Sequence, residues 1–330
     1  MSQPSKSRKL RSLDIIVPVY NEAGVVKKFH QSLMAVLENL KQDTTVLYVD
    51  DGSRDETPTE LAALAAKNAR VGVATLSRNF GHQAALTAGL QLVDADAVIS
   101  IDGDGQNPPR LIPEMIRQAE AGFDVVQTKR VGGAGLGWFK DLTSRLFYWL
   151  INLMSGTEIA PGVADFRLLT RPALDALRDL PEYHRFLRGM ASWIGFPTIT
   201  LSYEVGPRLG GRSKYSLRRM LGLAADALFS FTLRPLYLMV AAGSMFLLFA
   251  FAELIYVSSF WLRGLGHLLV PGWSSLMFVI LFVGGTTMLS LGVTAMYVGY
   301  IFQEVKNRPV YVLSSYRKPS RTRRAAKTKA

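Results

Sequence analysis

Apolar runs alternate with amphipathic segments from residue 13 to residue 205 of the 330-residue chain. The apolar runs are short and rich in Val, Ile and Leu, which is typical of buried strands, and the segments between them have helical periodicity. This alternation predicts an α/β domain with a mostly parallel sheet that is covered on both faces. Ser53 and Glu56 also have the spacing of a capping box at the start of the second helix. The predicted strands are 13–19, 46–49, 71–76, 97–101 and 124–127, and the predicted helices are 25–40, 56–68, 83–93 and 111–121.

Two long apolar segments follow near the C-terminus. The 28 residues between Arg234 and Arg263 include one charged residue, Glu253, and the 36 residues between His267 and Glu304 include none. A membrane core about 30 Å thick requires about 20 helical residues, so each segment is long enough to cross it. Basic residues flank the pair on both sides, which predicts that both termini lie in the cytoplasm. The sequence therefore predicts an integral membrane protein.

The net charge of +12 arises at the two ends of the chain. Residues 1–13 and 306–330 together contain 13 Lys and Arg and no acidic residue, so the rest of the chain sums to −1. Basic ends beside apolar segments favour an anionic membrane surface over a nucleic acid. The absence of cysteine excludes disulfides, Cys-ligated metals and thiol catalysis. The predicted domains are a basic N-terminal tail (1–12), the α/β domain (13–210), amphipathic juxtamembrane helices (211–233), a two-helix transmembrane hairpin (234–303) and a basic cytoplasmic C-terminal tail (304–330).

Polar residues follow the predicted strands, at the edge where such sheets bind ligands. Asp102 and Asp104 follow the fourth strand and point to the same side, where two carboxylates can share Mg²⁺ with substrate phosphates. Neither GxGxxG after the first strand nor GxxxxGK[ST] is present, which disfavours a dehydrogenase and a P-loop ATPase. These residues predict a metal–diphosphate site. The histidines do not form a metal-binding pattern and are predicted to be structural or on the surface; they are His30, His82, His184 and His267.

Several short motifs occur in order along the chain. They are VPVYNE (17–22), DDGS (50–53), DGDGQNPP (102–109), DFR (165–167), RFLRG (185–189), GRSKY (211–215) and EVKNRPVY (304–311). Together they resemble the family-2 glycosyltransferases of GT-A fold, and most of all the polyprenyl-phosphate glycosyltransferases, which include bactoprenol glucosyltransferases and dolichol-phosphate mannose synthases. The resemblance implies a Rossmann-like GT-A domain followed by two transmembrane helices. The chain departs from the family at Gly105, where an apolar residue is usual, and at His82-Gln83, where Lys-Glu is common.

The resemblance also implies roles for single residues. The residues around the donor nucleotide would be Pro18, Tyr20, Glu22, Asp50, Asp51 and Asp102. Those holding Mg²⁺ or Mn²⁺ would be Asp102, Asp104 and Gln106. Those binding the acceptor phosphate would be Arg130, Arg145, Arg212 and Lys214. The catalytic set would be Asp104, Asp165, Arg130 and Arg212, with Asp165 orienting the acceptor or assisting proton removal.

The implied reaction is inverting transfer of a sugar from a nucleotide sugar to polyprenyl (undecaprenyl) phosphate at the cytoplasmic face of the bacterial inner membrane. UDP-glucose is the first choice of donor because the motifs at 165–167 and 185–189 resemble the bactoprenol glucosyltransferase branch. GDP-mannose and modified UDP-sugars stay open. A processive polysaccharide synthase is disfavoured because QxxRW is absent and two spans are few. A non-catalytic membrane scaffold or lipid-flipping partner is the alternative outside the enzymes. The resemblance to the glycosyltransferase family also suggests a homo-oligomer.

Overall fold

The computed structural model describes residues 4–131, 163–183, 185–204, 234–264 and 272–321. The chain divides into two compact units, one formed by Met1–Leu221 with Arg308–Ala330 and the other by Gly222–Asn307. In the first unit the strands are β1 (Ser12–Val19), β2 (Asp43–Asp50), β3 (Val71–Leu76), β4 (Ala97–Ser100), β5 (Val125–Val131), β6 (Val163–Thr170), β7 (Thr198–Glu204) and β8 (Leu313–Arg317). Its helices are α1 (Val25–Leu37), α2 (Thr57–Lys67), α3 (His82–Leu92), α4 (Ile112–Glu120), α5 (Arg171–Arg178) and α6 (Leu187–Trp193). The second unit contains α7 (Arg234–Leu262) and α8 (Trp273–Val305).

The strands form one sheet in the order β7-β5-β6-β4-β1-β2-β3-β8. The pairs β1–β2, β1–β4, β2–β3 and β5–β7 are parallel, whereas β4–β6, β5–β6 and β3–β8 are antiparallel. This mixed, mostly parallel sheet confirms the predicted α/β class. The central strand β1 is buried from Leu13 to Val19, and α1 packs Phe29 and Leu33 into the same core. Burying each such side chain stabilises the domain by about 1.5–3 kcal/mol.

The loops after β1 and β2 are joined by side-chain-to-backbone hydrogen bonds. Ser53 Oγ accepts from the Asn21 N–H (2.9 Å), and Asn21 Oδ1 accepts from the Arg54 N–H (2.9 Å). The predicted capping box is therefore wrong, because Ser53 bonds to the other loop. Asp55 Oδ1 instead accepts from the N–H of Thr57, the first residue of α2 (3.0 Å). These bonds hold the two loops together at the carboxyl edge of the sheet.

Part of the predicted C-terminal tail is a strand of the sheet. β8 pairs with β3, the Ser77 N–H donates to the Val312 carbonyl (2.9 Å), and the Ser320 N–H donates to the Ala69 carbonyl (2.7 Å). Arg321 Nη2 lies 3.0 and 2.9 Å from the two carboxylate oxygens of Asp14, which is buried in β1. The chain thus returns to the α/β domain after α8.

The helices α7 and α8 coincide with the predicted hairpin. Within the described part of the chain, one stretch, Phe282–Val305 in α8, meets the length and composition of a membrane span. The rings of Phe246 and Phe282 bring the two helices into contact, edge to face, with centroids 5.0 Å apart. The presence of two membrane spans therefore stays a prediction. The predicted juxtamembrane helices at 211–233 lie outside the described residues.

Candidate active site

The loop after β4 holds an acidic pair at the carboxyl edge of the sheet. Asp102 Oδ2 accepts a hydrogen bond from Asn107 Nδ2 (3.2 Å). Asp102 Oδ1 is buried and accepts no hydrogen bond from the described residues. Asp104 Oδ1 accepts from the backbone N–H of Gln106 (2.9 Å), which closes the loop into a turn. Three predicted metal ligands are therefore neighbours in one loop, and one buried carboxylate oxygen accepts no hydrogen bond from the residues that the structure describes.

The open oxygen fits a divalent cation. Burial raises the pKa of Asp102, and the nearby charges of Asp165 and Asp104 raise it further, against the opposing effect of His82. A bound cation would offset the cost of keeping this buried carboxylate ionised, because the cation replaces the lost hydration. Among the residues that the structure describes, no group of three or more acidic or histidine side chains encloses a metal by itself. One or two carboxylates plus substrate phosphates are the ligands that Mg²⁺ typically takes.

His82 is a partly exposed histidine that lies beside two acidic residues of the site. It is the first residue of α3, and its Nε2 lies 3.5 Å from both Asp102 Oδ1 and Asp165 Oδ2. Its side chain is 45% exposed. Partial removal from water lowers the pKa of His82, but the interaction with Asp165 and the charges of both carboxylates outweigh this, so the pKa is raised. The imidazole of His82 therefore lies between two acidic residues of the site.

Asp165 on β6 is the anionic centre of an arginine cluster. Arg188 donates from Nε to Oδ1 (3.0 Å) and from Nη2 to Oδ2 (2.6 Å), and Arg167 donates from Nη2 to Oδ1 (2.9 Å). Burial alone would raise the pKa of Asp165, but the arginines and His82 hold it well below its usual range. Both oxygens of Asp165 are thus occupied by charged arginine donors. The geometry therefore favours the orienting role of Asp165 over proton removal.

A second polar chain ends on Asp102. Arg130 Nε on β5 donates to the hydroxyl of Tyr203 on β7 (3.1 Å), and this hydroxyl donates to Asn107 Oδ1 (2.5 Å). Arg130 Nη2 also lies 3.8 Å from Asp102 Oδ2. Tyr203 and Asn107 are buried, whereas Arg130 is partly exposed. The predicted acceptor-phosphate ligand Arg130 and the predicted metal ligand Asp102 thus lie side by side.

The acidic pair after β2 has two different environments. Asp50 Oδ1 accepts from the Ser53 N–H (3.0 Å), while its buried Oδ2 accepts no hydrogen bond from the part of the chain that is described. Asp51 instead accepts from the backbone N–H groups of Phe80 (2.7 Å) and Gly81 (2.9 Å), one on each oxygen. Burial raises the pKa of Asp51, and these two hydrogen bonds oppose the rise. Asp50 is therefore open toward a ligand, whereas Asp51 holds the loop before α3.

The other predicted residues divide into two groups. Pro18 is buried in β1 opposite Val49, and Tyr20 and Glu22 are half-buried just beyond the strand. Three predicted acceptor-phosphate ligands, Arg145, Arg212 and Lys214, lie outside the described residues.

The structure also adds polar residues for which the sequence analysis had no individual role. They are His82, Asn107, Arg167, Arg188 and Tyr203. Asn107, Arg167 and Arg188 lie in the sequence motifs at 102–109, 165–167 and 185–189. Membership of these motifs is the sequence feature that could have indicated a role for them. His82 was visible as a departure from the family, and Tyr203 had no signal.

Comparison with known proteins defines the class. A family model described as glycosyl transferase family 2 matches residues 14–178. An uncharacterized glycosyltransferase of Synechocystis, sll0501, is 37% identical over 303 residues, which is 92% of this chain and 94% of that protein. A solved structure of glucosyl-3-phosphoglycerate synthase from Mycobacterium tuberculosis, with Mn²⁺, UDP and phosphoglyceric acid, matches with a TM-score of 0.49 and 18% identity over 66% of this chain and 76% of that one.

These matches confirm the expected family. The chain belongs to glycosyl transferase family 2, and its sheet is that of a GT-A enzyme. Within the family it is similar to the SfII prophage-derived bactoprenol glucosyl transferase of Shigella flexneri, at 34% identity over 305 residues, which cover 91% of this chain and 97% of that protein.

Proposed function

We propose that this glycosyltransferase moves glucose from UDP-glucose onto polyprenyl (undecaprenyl) phosphate at the cytoplasmic face of the bacterial inner membrane, with inversion at the anomeric carbon. The observation that carries the proposal is the pair of buried carboxylate oxygens on Asp50 and Asp102, at the carboxyl edge of the sheet, that accept no hydrogen bond from any described residue. The name of the Shigella relative supports the acceptor and glucose. GDP-mannose and modified UDP-sugars are the alternative donors.

Asp102 and Asp104, with Gln106, would hold Mg²⁺ or Mn²⁺ on the donor diphosphate, where the cation supplies charge neutralisation to the leaving group. The buried Asp102 Oδ1 supports this assignment. Asp50 would face the donor nucleotide together with Pro18, Tyr20 and Glu22. Asp51 would act indirectly, through the loop that it holds.

The acceptor needs positioning more than proton removal. The second pKa of a phosphate monoester is about 6, so the lipid phosphate is largely dianionic at neutral pH. Such a nucleophile must be gathered by cations and aligned. Arg130 beside Asp102 suits this task, and Arg145, Arg212 and Lys214 are proposed to complete it. The ionised Asp165, fixed by two arginines, supports a role in orientation.

The position of β8 supports two membrane spans. β8 follows α8 in the chain but pairs with β3, which precedes α7. Both ends of the apolar segment therefore join the same domain, which supports the even number of crossings that we propose. Because the chain has no cysteine, the topology can be tested with Gly264→Cys in the connector and Ser315→Cys in β8. An impermeant maleimide should label only Gly264→Cys in spheroplasts, and labelling of Ser315→Cys there would contradict the topology.

The reaction is tested with the full chain in detergent, polyprenyl phosphate, Mg²⁺ and radiolabelled UDP-glucose or GDP-mannose. We expect label from UDP-glucose to enter the lipid phase and EDTA to abolish this. Asp102→Asn should lower the rate by about 100-fold or more, because the transition-state charge loses its support. Asp179→Asn, which alters an exposed carboxylate on α5's C-terminal end, is the matched control and should be active.

The remaining outcomes separate the alternatives. Transfer only from GDP-mannose would change the donor and keep the reaction. Nucleotide binding without transfer from either donor would indicate another sugar. Absence of nucleotide binding, with a cellular phenotype that survives Asp102→Asn, would replace the enzyme with a membrane scaffold or lipid-flipping partner.

A further inference from the structure

The hydrogen-bond chain from Arg130 to Asp102 can have only one direction. An arginine has only donors, and Asp102 must be ionised to bind a cation, so that its carboxylate has only acceptors. The Tyr203 hydroxyl must therefore accept from Arg130 and donate to Asn107 Oδ1, which leaves Asn107 Nδ2 to donate to Asp102 Oδ2. No member can reverse without leaving a buried polar atom unpaired, which is costly. The chain thus determines the orientation of the Asp102 carboxylate.

This orientation leaves one oxygen open. Asn107 occupies Asp102 Oδ2, so Oδ1 is the atom that has no hydrogen bond among the described residues, although His82 Nε2 lies 3.5 Å from it. Tyr203 is anchored on β7 and Asn107 is fully buried, so both are held by the packing of the domain. The same Tyr203 hydroxyl also holds Arg130, 3.8 Å from Asp102.

We propose that Tyr203 and Asn107 are positioning residues that present Asp102 Oδ1 to the divalent cation and keep Arg130 at a fixed place beside it. The inference rests on the proposed function, since it deepens the assignment of Asp102 as a metal ligand. Residues that orient a ligand in this way typically contribute 10- to 100-fold in metal affinity.

The test measures Mn²⁺ binding by electron paramagnetic resonance with the full chain in detergent and excess UDP, calibrated against Mn²⁺ and UDP without protein. Tyr203→Phe removes one oxygen atom and should weaken Mn²⁺ binding by about 10-fold or more. Tyr48→Phe is the matched control, because it removes another buried tyrosine hydroxyl. This hydroxyl contacts His30 Nδ1 (2.9 Å) and takes no part in the hydrogen-bond chain from Arg130 to Asp102. The control variant should bind Mn²⁺ like the wild type.

A double-mutant cycle distinguishes positioning from general damage. Asn107→Ala interrupts the same chain one step closer to Asp102 and should weaken binding at least as much. If the two residues act in series, the double variant should bind Mn²⁺ no more weakly than Asn107→Ala alone. If they act independently, the two losses of Mn²⁺ affinity should multiply. Arg130 also loses its anchor in Tyr203→Phe, so the KM for polyprenyl phosphate should rise.

Unchanged Mn²⁺ affinity in Tyr203→Phe would overturn the proposal, as would an equal loss in Tyr48→Phe or losses that multiply in the double variant. The proposed function can fail separately. If the wild type transfers no sugar but binds Mn²⁺ through Asp102 and loses affinity in Tyr203→Phe, the positioning role is supported while the reaction is refuted.

Discussion

Replacing Arg321 with alanine should loosen strand β8 and leave the rest of the sheet folded. Arg321 Nη2 contacts both carboxylate oxygens of Asp14, which is buried in the central strand. Asp14 would keep two partners, the Thr45 hydroxyl (2.6 Å) and the Asp94 N–H (2.9 Å). The buried carboxylate thus stays hydrogen-bonded but loses its counter-ion. The change removes a long-range contact that closes the C-terminal segment against the domain.

The size of the effect follows from burial and charge. A hydrogen bond to a charged group contributes about 1.5–3 kcal/mol. The Arg321 side chain is 31% exposed, so solvent weakens the pair. We therefore expect a loss of about 1–2 kcal/mol in the opening free energy of β8. Since each 1.4 kcal/mol is tenfold, the open state should become about 5- to 30-fold more populated.

Hydrogen–deuterium exchange on the full chain in detergent measures this opening. Peptides covering Leu313–Arg317 should exchange about 5- to 30-fold faster in Arg321→Ala, while β1 peptides should be unchanged. Arg317→Ala removes the same charge from an exposed position on β8 and is the matched control. Unchanged protection of β8, or equal acceleration in the control, would mean that backbone pairing alone holds the strand.

Two further predictions concern the loops around the site. Gly52 and Gly24 both have positive φ (67° and 78°). A Cβ added to Gly52 would lie 2.5 Å from the Arg78 carbonyl carbon, whereas a Cβ added to Gly24 would have no atom within 4 Å. Gly24→Ala should cost about 1–2 kcal/mol and Gly52→Ala about 2–5 kcal/mol in urea titrations, and equal costs would contradict the clash. Asp51→Asn leaves a backbone N–H unpaired and should cost about 1–3 kcal/mol by the same titration. Unchanged stability with lost UDP binding would instead give Asp51 a direct contact with the donor.

The regular part of the fold could be predicted because its signals are local. Val71–Leu76 has the same bounds in the prediction and in the structure, since a buried parallel strand is a continuous apolar run with polar residues at both ends. The position of Asp102 and Asp104 in the site region followed from a general rule, because ligands bind beyond the carboxyl ends of such strands. Periodicity and chain order were sufficient for both.

The polar partners within the site could not be predicted because they meet across long sequence distances. Tyr203 contacts Asn107 across 96 positions, and Arg188 contacts Asp165 across 23. No periodicity relates such residues, and their pairing follows only from the order of strands in the sheet. The position of His82 beside the site could not be predicted for a related reason. A single histidine without a nearby ligand pattern indicates a surface or structural residue, and its approach to Asp102 and Asp165 follows only from the fold.

The strand β8 shows why a charge pattern can mislead about a segment. Leu313–Arg317 is short, mostly exposed and without regular alternation, so it is a strand because the edge of β3 is available to pair with it. The sequence alone predicts that the basic residues of this region face anionic lipid. At least one of them, Arg321, neutralises a buried aspartate of the central strand instead. The pairing of β8 with β3 nevertheless shows, independently of any charge count, that the segments before and after the two long helices fold into one domain.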